Sequence, residues 1–248
     1  MRSAPEPGRR SGGPVGPGAG DSPTSVVLLA VPVGQMGATM AAIAPHLSAH
    51  TIVSDVGSTK QDVVALAQQH LAEHLPRFVP GHPIAGAEAS GVKAARGDLF
   101  RERNVVLTPL AETDPAAQAL LTSLWQGCGA KVTQMTPQQH DAVFAAVSHL
   151  PHVLAFALVD YIANQDNAEQ LFGFAASGFR DFTRIAGSSP EMWRDICLAN
   201  RDALLQQIGG YEQELARIKM LIETGDGDGL AQLFGRARDA RQSYLKNI

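Results

Sequence analysis

A histidine and a serine stand at matching positions after two short apolar segments of the sequence. Ser58 follows residues 51–54, and His82 follows residues 77–79 within the run Gly81-His82-Pro83. If the two segments are neighbouring parallel strands, both side chains lie beyond the carboxyl ends, at the sheet edge where α/β proteins bind ligands. An imidazole can accept a proton from a hydroxyl near neutral pH. The pair therefore predicts proton-transfer chemistry at one edge of a sheet.

Both residues also have simpler interpretations. Gly81 permits unusual backbone angles and Pro83 stiffens the turn, so His82 can be aimed at a ligand. A loop histidine packed against the sheet edge is the alternative. Ser58 precedes a helix predicted to start at Lys60, and helix capping alone explains a serine there. A capping serine at this edge can still donate to a ligand, so Ser58 stays a candidate.

Two further histidines, His149 and His152, are three residues apart in the run Ser148-His149-Leu150-Pro151-His152. On a continuous helix they share one face. This spacing can bind a metal, but no carboxylate or third ligand stands nearby, so we expect no metal site. Two imidazoles lining a polar pocket are the preferred interpretation, and histidines satisfied within the helix are the alternative.

Two arginines, Arg180 and Arg184, lie close together among apolar residues. An arginine can bind a carboxylate through two parallel hydrogen bonds. One of the two could instead pair with Asp181. The segment Pro190-Glu191-Met192-Trp193-Arg194-Asp195 is typical of a helix start with an acidic first turn, and Trp193 could form the wall of a pocket.

The elements that must position these residues fall into two groups. Strands and helices alternate over residues 25–135, which predicts a parallel sheet with helices on its faces. From Thr136 onward no strand is predicted. The predicted strands are residues 26–31, 51–54, 77–79, 104–108 and 131–134, and the predicted helices are 35–46, 60–73, 115–125, 138–163, 168–177, 190–207, 211–223 and 229–246. Pro151 should kink the fourth helix or mark its start.

The fold expected is therefore α/β followed by all-α. A partial doubly wound, Rossmann-like sheet occupies residues 25–135. An all-helical domain, which could form a dimer interface or wall off a substrate pocket, occupies residues 136–248. Residues 1–24 form a leader rich in glycine, proline and arginine, which we expect to be disordered because it cannot bury enough apolar surface.

Composition limits the class of protein further. The net charge of -4 gives no reason to expect nucleic acid or an anionic membrane as a partner. Cys128 and Cys197 are the only cysteines, and two free thiols indicate a reducing, cytoplasmic location. No segment approaches a membrane span, which needs about 20 consecutive apolar residues.

Taken in order, these runs resemble the prephenate dehydrogenases of tyrosine biosynthesis. The resemblance extends from Ser25 to about Arg201. It rests on Leu29-Ala30-Val31-Pro32-Val33, Asp55-Val56-Gly57-Ser58-Thr59-Lys60, Gly81-His82-Pro83-Ile84-Ala85-Gly86 with Glu88, Ser148-His149-Leu150-Pro151-His152, Asp181-Phe182-Thr183-Arg184 and Met192-Trp193-Arg194-Asp195.

The resemblance implies an enzyme, an NAD-dependent oxidoreductase that converts prephenate to 4-hydroxyphenylpyruvate by oxidative decarboxylation. His82 would accept the proton of the ring hydroxyl, Ser58 would orient that hydroxyl, and Arg184 would bind a carboxylate. The rest of the substrate pocket would comprise His152, Glu88, His149, Trp193 and Asp181. The residues expected beside the cofactor are Val31, Pro32 and Gly57. The helical domain would form a homodimer.

One departure from the family concerns the cofactor. The family begins with a strand, a glycine-rich turn and a helix that hold the pyrophosphate, and no G-x-G-x-x-G run is found here. We therefore expect weak NAD binding and slow or absent turnover. The residue that would select NAD over NADP is not found either, so NADP is not excluded.

Three alternatives remain beside this interpretation. The substrate could be arogenate, or both compounds could be accepted as in a cyclohexadienyl dehydrogenase. The chain could also be a non-catalytic fragment that retains substrate binding and dimerisation. A related hydroxyacid dehydrogenase would place a catalytic lysine on the long helix, and residues 138–163 contain none.

Overall fold

The computed structural model describes residues 25–85 and 95–246. An α/β region comprises β1 (Val26–Leu29), α1 (Met36–Ile43), β2 (Ile52–Asp55), α2 (Gln61–His70), β3 (Phe78–Val79), β4 (Gly81–Pro83), β5 (Asn104–Leu107), α3 (Pro115–Gly127) and β6 (Lys131–Gln134). A helical region comprises α4 (Pro137–Phe144), a π-helical turn (Ala145–His149), α5 (Leu150–Ala163), α6 (Ala168–Gly173), α7 (Ser177–Thr183), α8 (Pro190–Ala199), α9 (Arg201–Glu223) and α10 (Gly227–Leu245). The predicted fold class is confirmed.

The first sheet is parallel and has the order β1-β2-β3. Its central strand is buried throughout, as expected for a strand covered on both faces. Val53 pairs with Val27 on one side and with Phe78 on the other. One face packs on α1 and α2 through Met36, Met40 and Val63. The carboxyl ends of β1 and β2 therefore lie side by side above a continuous core.

The second sheet differs from the prediction, because β4 runs antiparallel to β5 while β5 and β6 are parallel. His82 accordingly lies within a short strand, opposite Val106, and not in a turn. Pro80 has no N–H for the ladder and separates β3 from β4. Gly81 then passes against β2: its N–H donates to Asp55 Oδ1 at 3.1 Å, and a Cβ there would lie 3.0 Å from the Asp55 carbonyl oxygen.

The start of α2 also differs from the prediction. Ser58 does not cap this helix, which begins at Gln61 without a capping side chain from its own N-terminus. The Asp141 carboxylate on α4 takes that role, accepting from Lys60 N at 2.8 Å and from Gln61 N at 2.9 Å. At the start of α3 the cap is local, since the Asp114 side chain accepts from Ala116 N at 2.8 Å.

The long helix is interrupted where the proline predicts it. The π-helical turn ends at His149, and a new α-helical segment begins at Leu150 with Pro151 in its first turn. The predicted break between residues 207 and 211 is wrong, because α9 is continuous through that segment. The break lies at Asn200 instead, whose side chain donates to the Asp141 carbonyl oxygen at 2.8 Å.

The stretch Pro137–Ala163 is long and apolar enough, by length and composition, to cross a bilayer. It spans 27 residues, and its most apolar 18 consecutive residues have a mean hydropathy of 1.9 and are 22% buried. The expectation that no segment approaches a span was therefore wrong. The stretch nevertheless carries His140, Asp141 and His149 in buried positions against the rest of the protein. Polar side chains buried in this way indicate that the helix packs against protein and not against lipid.

Candidate active site

A pair of histidines joins the two regions of the chain. Nδ1 of His82, on β4, lies 2.8 Å from Nε2 of His140, on α4. The Phe144 ring packs on both imidazoles, with its centroid 4.9 Å from that of His82 and 4.5 Å from that of His140. The structure thus holds His82 in place through a side chain that the sequence analysis did not single out.

Asp141 extends this pair. Its Oδ1 lies 2.8 Å from Nδ1 of His140, and both side chains are buried. Burial by itself pushes the pKa of Asp141 upward, but hydrogen bonds from His140, Gln61 and Lys60 outweigh it and leave the pKa below its ordinary value. The carboxylate is therefore ionised and accepts hydrogen bonds from both regions.

The surroundings of His82 keep its imidazole neutral. Burial is the main cause of a pKa well below the ordinary value, and the charge of Lys60 and the neighbouring His140 and His149 lower it further. Burial also lowers the pKa of His140, although Asp141 opposes the effect. A neutral imidazole can accept a proton, which is what the sequence analysis expected of His82.

Asp55 and Lys60, from the run that contains Ser58, form a fully buried ion pair. Asp55 also accepts from Gly57 N at 2.8 Å and from Gly81 N at 3.1 Å. These bonds fix the end of β2 against the residue before His82. Ser58 itself is half-buried in the turn between them.

The predicted cofactor residues lie at the adjoining carboxyl ends of β1 and β2. Val31 is half-buried, and Pro32 is exposed at the start of a 3₁₀ turn. A Cβ on Gly57 would lie 2.9 Å from Asp55 Oδ2 and 3.1 Å from Val33 Cγ1, so only glycine fits there. The result is an edge of backbone and apolar side chains, which suits the face of a planar ring such as nicotinamide.

The second group of predicted residues surrounds Trp193 on α8. The His152 ring stacks on the indole at a centroid distance of 3.7 Å, and His152 Nδ1 lies 2.8 Å from the Ser148 carbonyl oxygen. His149 meets the same indole edge-on at 6.0 Å. Its Nδ1 lies 3.1 Å from Asn200 Nδ2, and burial above all lowers its pKa to about 4.

Arg184 and Asp181 lie at the margin of this group. The pKa of His152 is lowered mainly by burial, and the positive charge of Arg184 lowers it further. Both Arg184 and Asp181 line an open cavity of about 700 Å³ beside Phe172 and Phe179. The structure thus places both Arg184 and Asp181 at that cavity. Glu88 lies outside the described residues.

Sequence reasoning missed His140, Asp141 and Asn200, which bind one another and the predicted histidines. The sequence does contain a pattern that indicates a contact of His140. His140 and Phe144 are four residues apart on a predicted helix and so share one face. The hydrogen-bond partners of Asp141 and Asn200 lie far away in the sequence, and no local pattern indicates these bonds. Within residues 25–85 and 95–246, no group of three His, Cys, Asp or Glu side chains is arranged to hold a metal.

A parallel α/β unit with a ligand edge, joined to a helical unit that supplies polar pocket residues, is an architecture that suits a nucleotide-binding enzyme. Residues 20–134 match the nucleotide-binding domain of prephenate dehydrogenase, and residues 136–236 match its dimerization domain. The chain belongs to the prephenate dehydrogenase family.

Individual relatives agree with this assignment. The chain is 40% identical to a prephenate dehydrogenase of Bacillus subtilis, covering 90% of this chain and 60% of that protein. It is 38% identical to a cyclohexadienyl dehydrogenase of Zymomonas mobilis, covering 87% and 74%. A crystal structure of prephenate dehydrogenase from Aquifex aeolicus with hydroxyphenyl propionate and NAD+ superposes with a TM-score of 0.83 at 38% identity, covering 89% of this chain and 76% of that one.

Proposed function

We propose that the chain catalyses the NAD-dependent oxidative decarboxylation of prephenate to 4-hydroxyphenylpyruvate in tyrosine biosynthesis. The observation that carries the proposal is the position of the half-buried, neutral imidazole of His82: Gly81, the residue before it, and Gly57 both donate their N–H groups to the Asp55 carboxylate. An oxidoreductase acting on an alcohol needs a proton acceptor next to the place where the hydride leaves.

The residues divide the reaction between them. Val31, Pro32 and Gly57 would hold the nicotinamide, which when bound would supply a hydride acceptor. His82 takes the proton of the ring hydroxyl while the ring carbon that bears this hydroxyl loses a hydride. Loss of the ring carboxylate as carbon dioxide leaves its electron pair to complete the aromatic ring, and His82 returns its proton to the phenolate oxygen. Ser58 orients the hydroxyl.

The substrate is held at its other end by Arg184, through a carboxylate, with His152 and Trp193 forming the wall beside it. His149, Asp181 and Glu88 complete the pocket in this proposal. Family membership alone leaves prephenate, arogenate or both as substrates, since a relative is a cyclohexadienyl dehydrogenase.

The test measures turnover, substrate preference and cofactor binding separately. We expect prephenate and NAD to yield 4-hydroxyphenylpyruvate by mass spectrometry, with a stoichiometric amount of reduced nicotinamide. Arogenate assayed in parallel separates a specific enzyme from a dual one. Calorimetric titration with NAD and NADP then measures cofactor binding. Prephenate binding without NAD binding or product would support the non-catalytic alternative, and failure to bind prephenate would refute both.

We also propose that the chain is a cytoplasmic homodimer with its domain boundary near residue 135. Large apolar side chains on the helical region are exposed, including Val147 at 67%, Phe174 at 83% and Leu198 at 66%. A second copy would cover such a surface. Light scattering should give twice the mass of 26.2 kDa, and a monomer at micromolar concentration would refute the dimer.

A further inference from the structure

We propose that Asp141 is a positioning residue, which sets the hydrogen-bonding state of His82 from the helical region through His140. Its catalytic consequence rests on the proposed function, whereas the hydrogen-bonding state itself can be measured without it.

The protonation state of Asp141 fixes which nitrogen donates and which accepts at each contact from Asp141 to His82. An ionised carboxylate only accepts hydrogen bonds, so His140 Nδ1, 2.8 Å from Asp141 Oδ1, must carry a proton. A neutral imidazole carries one proton, which leaves His140 Nε2 as an acceptor. His82 Nδ1, 2.8 Å from that nitrogen, must then donate. The remaining nitrogen of His82, Nε2, is thereby left unprotonated and able to accept the substrate proton.

Asp141 can impose this order because its own carboxylate cannot turn. Oδ1 accepts from Lys60 N at 2.8 Å, and Oδ2 accepts from Gln61 N at 2.9 Å and from Gln61 Nε2 at 3.3 Å. The N-terminus of α2 also favours a negative charge at this position. Asn200 holds the backbone of the same residue by donating to its carbonyl oxygen.

Two sets of hydrogen bonds connect the helical region with the α/β region. Asp141 and His140 belong to α4, whereas the amides of Lys60 and Gln61 and the imidazole of His82 belong to the α/β region. The correct state of His82 is therefore available only when α4 is packed against the start of α2. A similar division of roles, with an acid orienting a catalytic imidazole, operates in serine protease triads.

The test is a ¹⁵N NMR measurement of the histidine tautomers at a pH where His82 is neutral. In the wild-type chain we expect His82 to be protonated at Nδ1 and unprotonated at Nε2, and His140 to be protonated at Nδ1. In Asp141→Ala the Nε2-protonated form of His82 should appear. Asp114→Ala is the matched control, since it also removes a carboxylate cap, on α3, and it should leave the His82 spectrum unchanged.

Protonation of His82 at Nε2 in the wild-type chain would overturn the proposal, and this result does not depend on the folding of any variant. An unchanged His82 tautomer in folded Asp141→Ala would overturn it as well. If the expected tautomers are found but prephenate is not turned over, the positioning role stands and the proposed function fails. In an active chain, Asp141→Ala should lower kcat about 10- to 100-fold while KM changes little, because orienting partners typically contribute that much.

Discussion

Nδ1 of His82 and Nε2 of His140 lie 2.8 Å apart, and the two residues belong to different regions of the chain. The bond makes the candidate base a property of the packed molecule, since neither region contains the pair alone. The Phe144 ring excludes water from one side of both imidazoles. Short apolar contacts of this kind keep His82 neutral and strengthen its hydrogen bond.

Replacing His140 by phenylalanine should lower turnover without unfolding the protein. The variant keeps a ring of similar size against Phe144 but removes the acceptor for His82 Nδ1. We expect kcat to lose part of the roughly 10²–10⁴-fold that a general base contributes, with a small change in KM. His50→Phe, in the loop before β2, serves as the control. Steady-state kinetics that show an unchanged kcat for His140→Phe would contradict the role of the pair.

Arg184→Ala should weaken substrate binding. A charge-assisted bond to a carboxylate contributes about 1.5–3 kcal/mol, so the prephenate Kd should rise about 10- to 150-fold. Arg184→Lys retains the charge but not the paired geometry and should recover only part of the affinity. Arg201→Ala, an exposed arginine paired with Asp202, should bind as the wild type does. Calorimetry distinguishes these outcomes, and equal affinities for all four proteins would refute the assignment.

Lys60→Met should destabilise the fold. Removing one member of a buried ion pair leaves the other charge unpaired, which costs about 3–5 kcal/mol. Asp55 would keep its bonds from Gly57 and Gly81, so the lower end of that range is expected. Lys131→Met breaks an exposed pair with Glu102 and should change little. Urea denaturation of both variants measures the difference, and similar midpoints would show that the Asp55–Lys60 pair is not stabilising.

His149 should make stability depend on pH in the acid range. Its pKa in the folded protein is about 4, against an ordinary value of 6.5, because burial and the nearby His140 and His152 outweigh Asp141. Between those two values the unfolded chain binds a proton that the folded chain does not. The free energy of unfolding should therefore be unaffected above pH 6.5 and fall by about 3 kcal/mol as the pH drops to 4.

The matched variant for this prediction is His149→Gln. Glutamine does not titrate, and its carbonyl oxygen can still accept from Asn200. Urea unfolding at several pH values should show a shallower decline for the variant than for the wild type. Parallel declines in the two proteins would mean that other groups cause the acid sensitivity.

Local patterns predicted much of the fold, and distant contacts account for what they missed. The alternation of strands and helices and the restart near Pro151 depend on neighbouring residues, and they were predictable. The cap on α2 was assigned to Ser58 because it stands nearby, whereas the structure uses Asp141, 81 positions after Lys60. The antiparallel pairing of β4 depends likewise on Val106, which no pattern around His82 indicates.

The candidate site was predicted in its parts but not in its connections. His82, His149, His152 and Trp193 were chosen by residue type and by resemblance, and the structure places His149 and His152 against the indole of Trp193. The bond from His82 to His140 needs two elements whose packing is decided by the whole core. The bonds of Asn200 could not be predicted either, since they depend on a helix break that residue type alone does not indicate.

The most direct test of the account compares hydride transfer by the wild-type chain and by His82→Asn at saturating NAD and prephenate. Asparagine can still donate to His140 from the position of Nδ1, but it offers no base for the substrate hydroxyl. The account predicts reduced nicotinamide in the wild type, at a rate at least about 100-fold above the variant, with an unchanged prephenate Kd. Equal rates in the two proteins, or no turnover by the wild type, would contradict it.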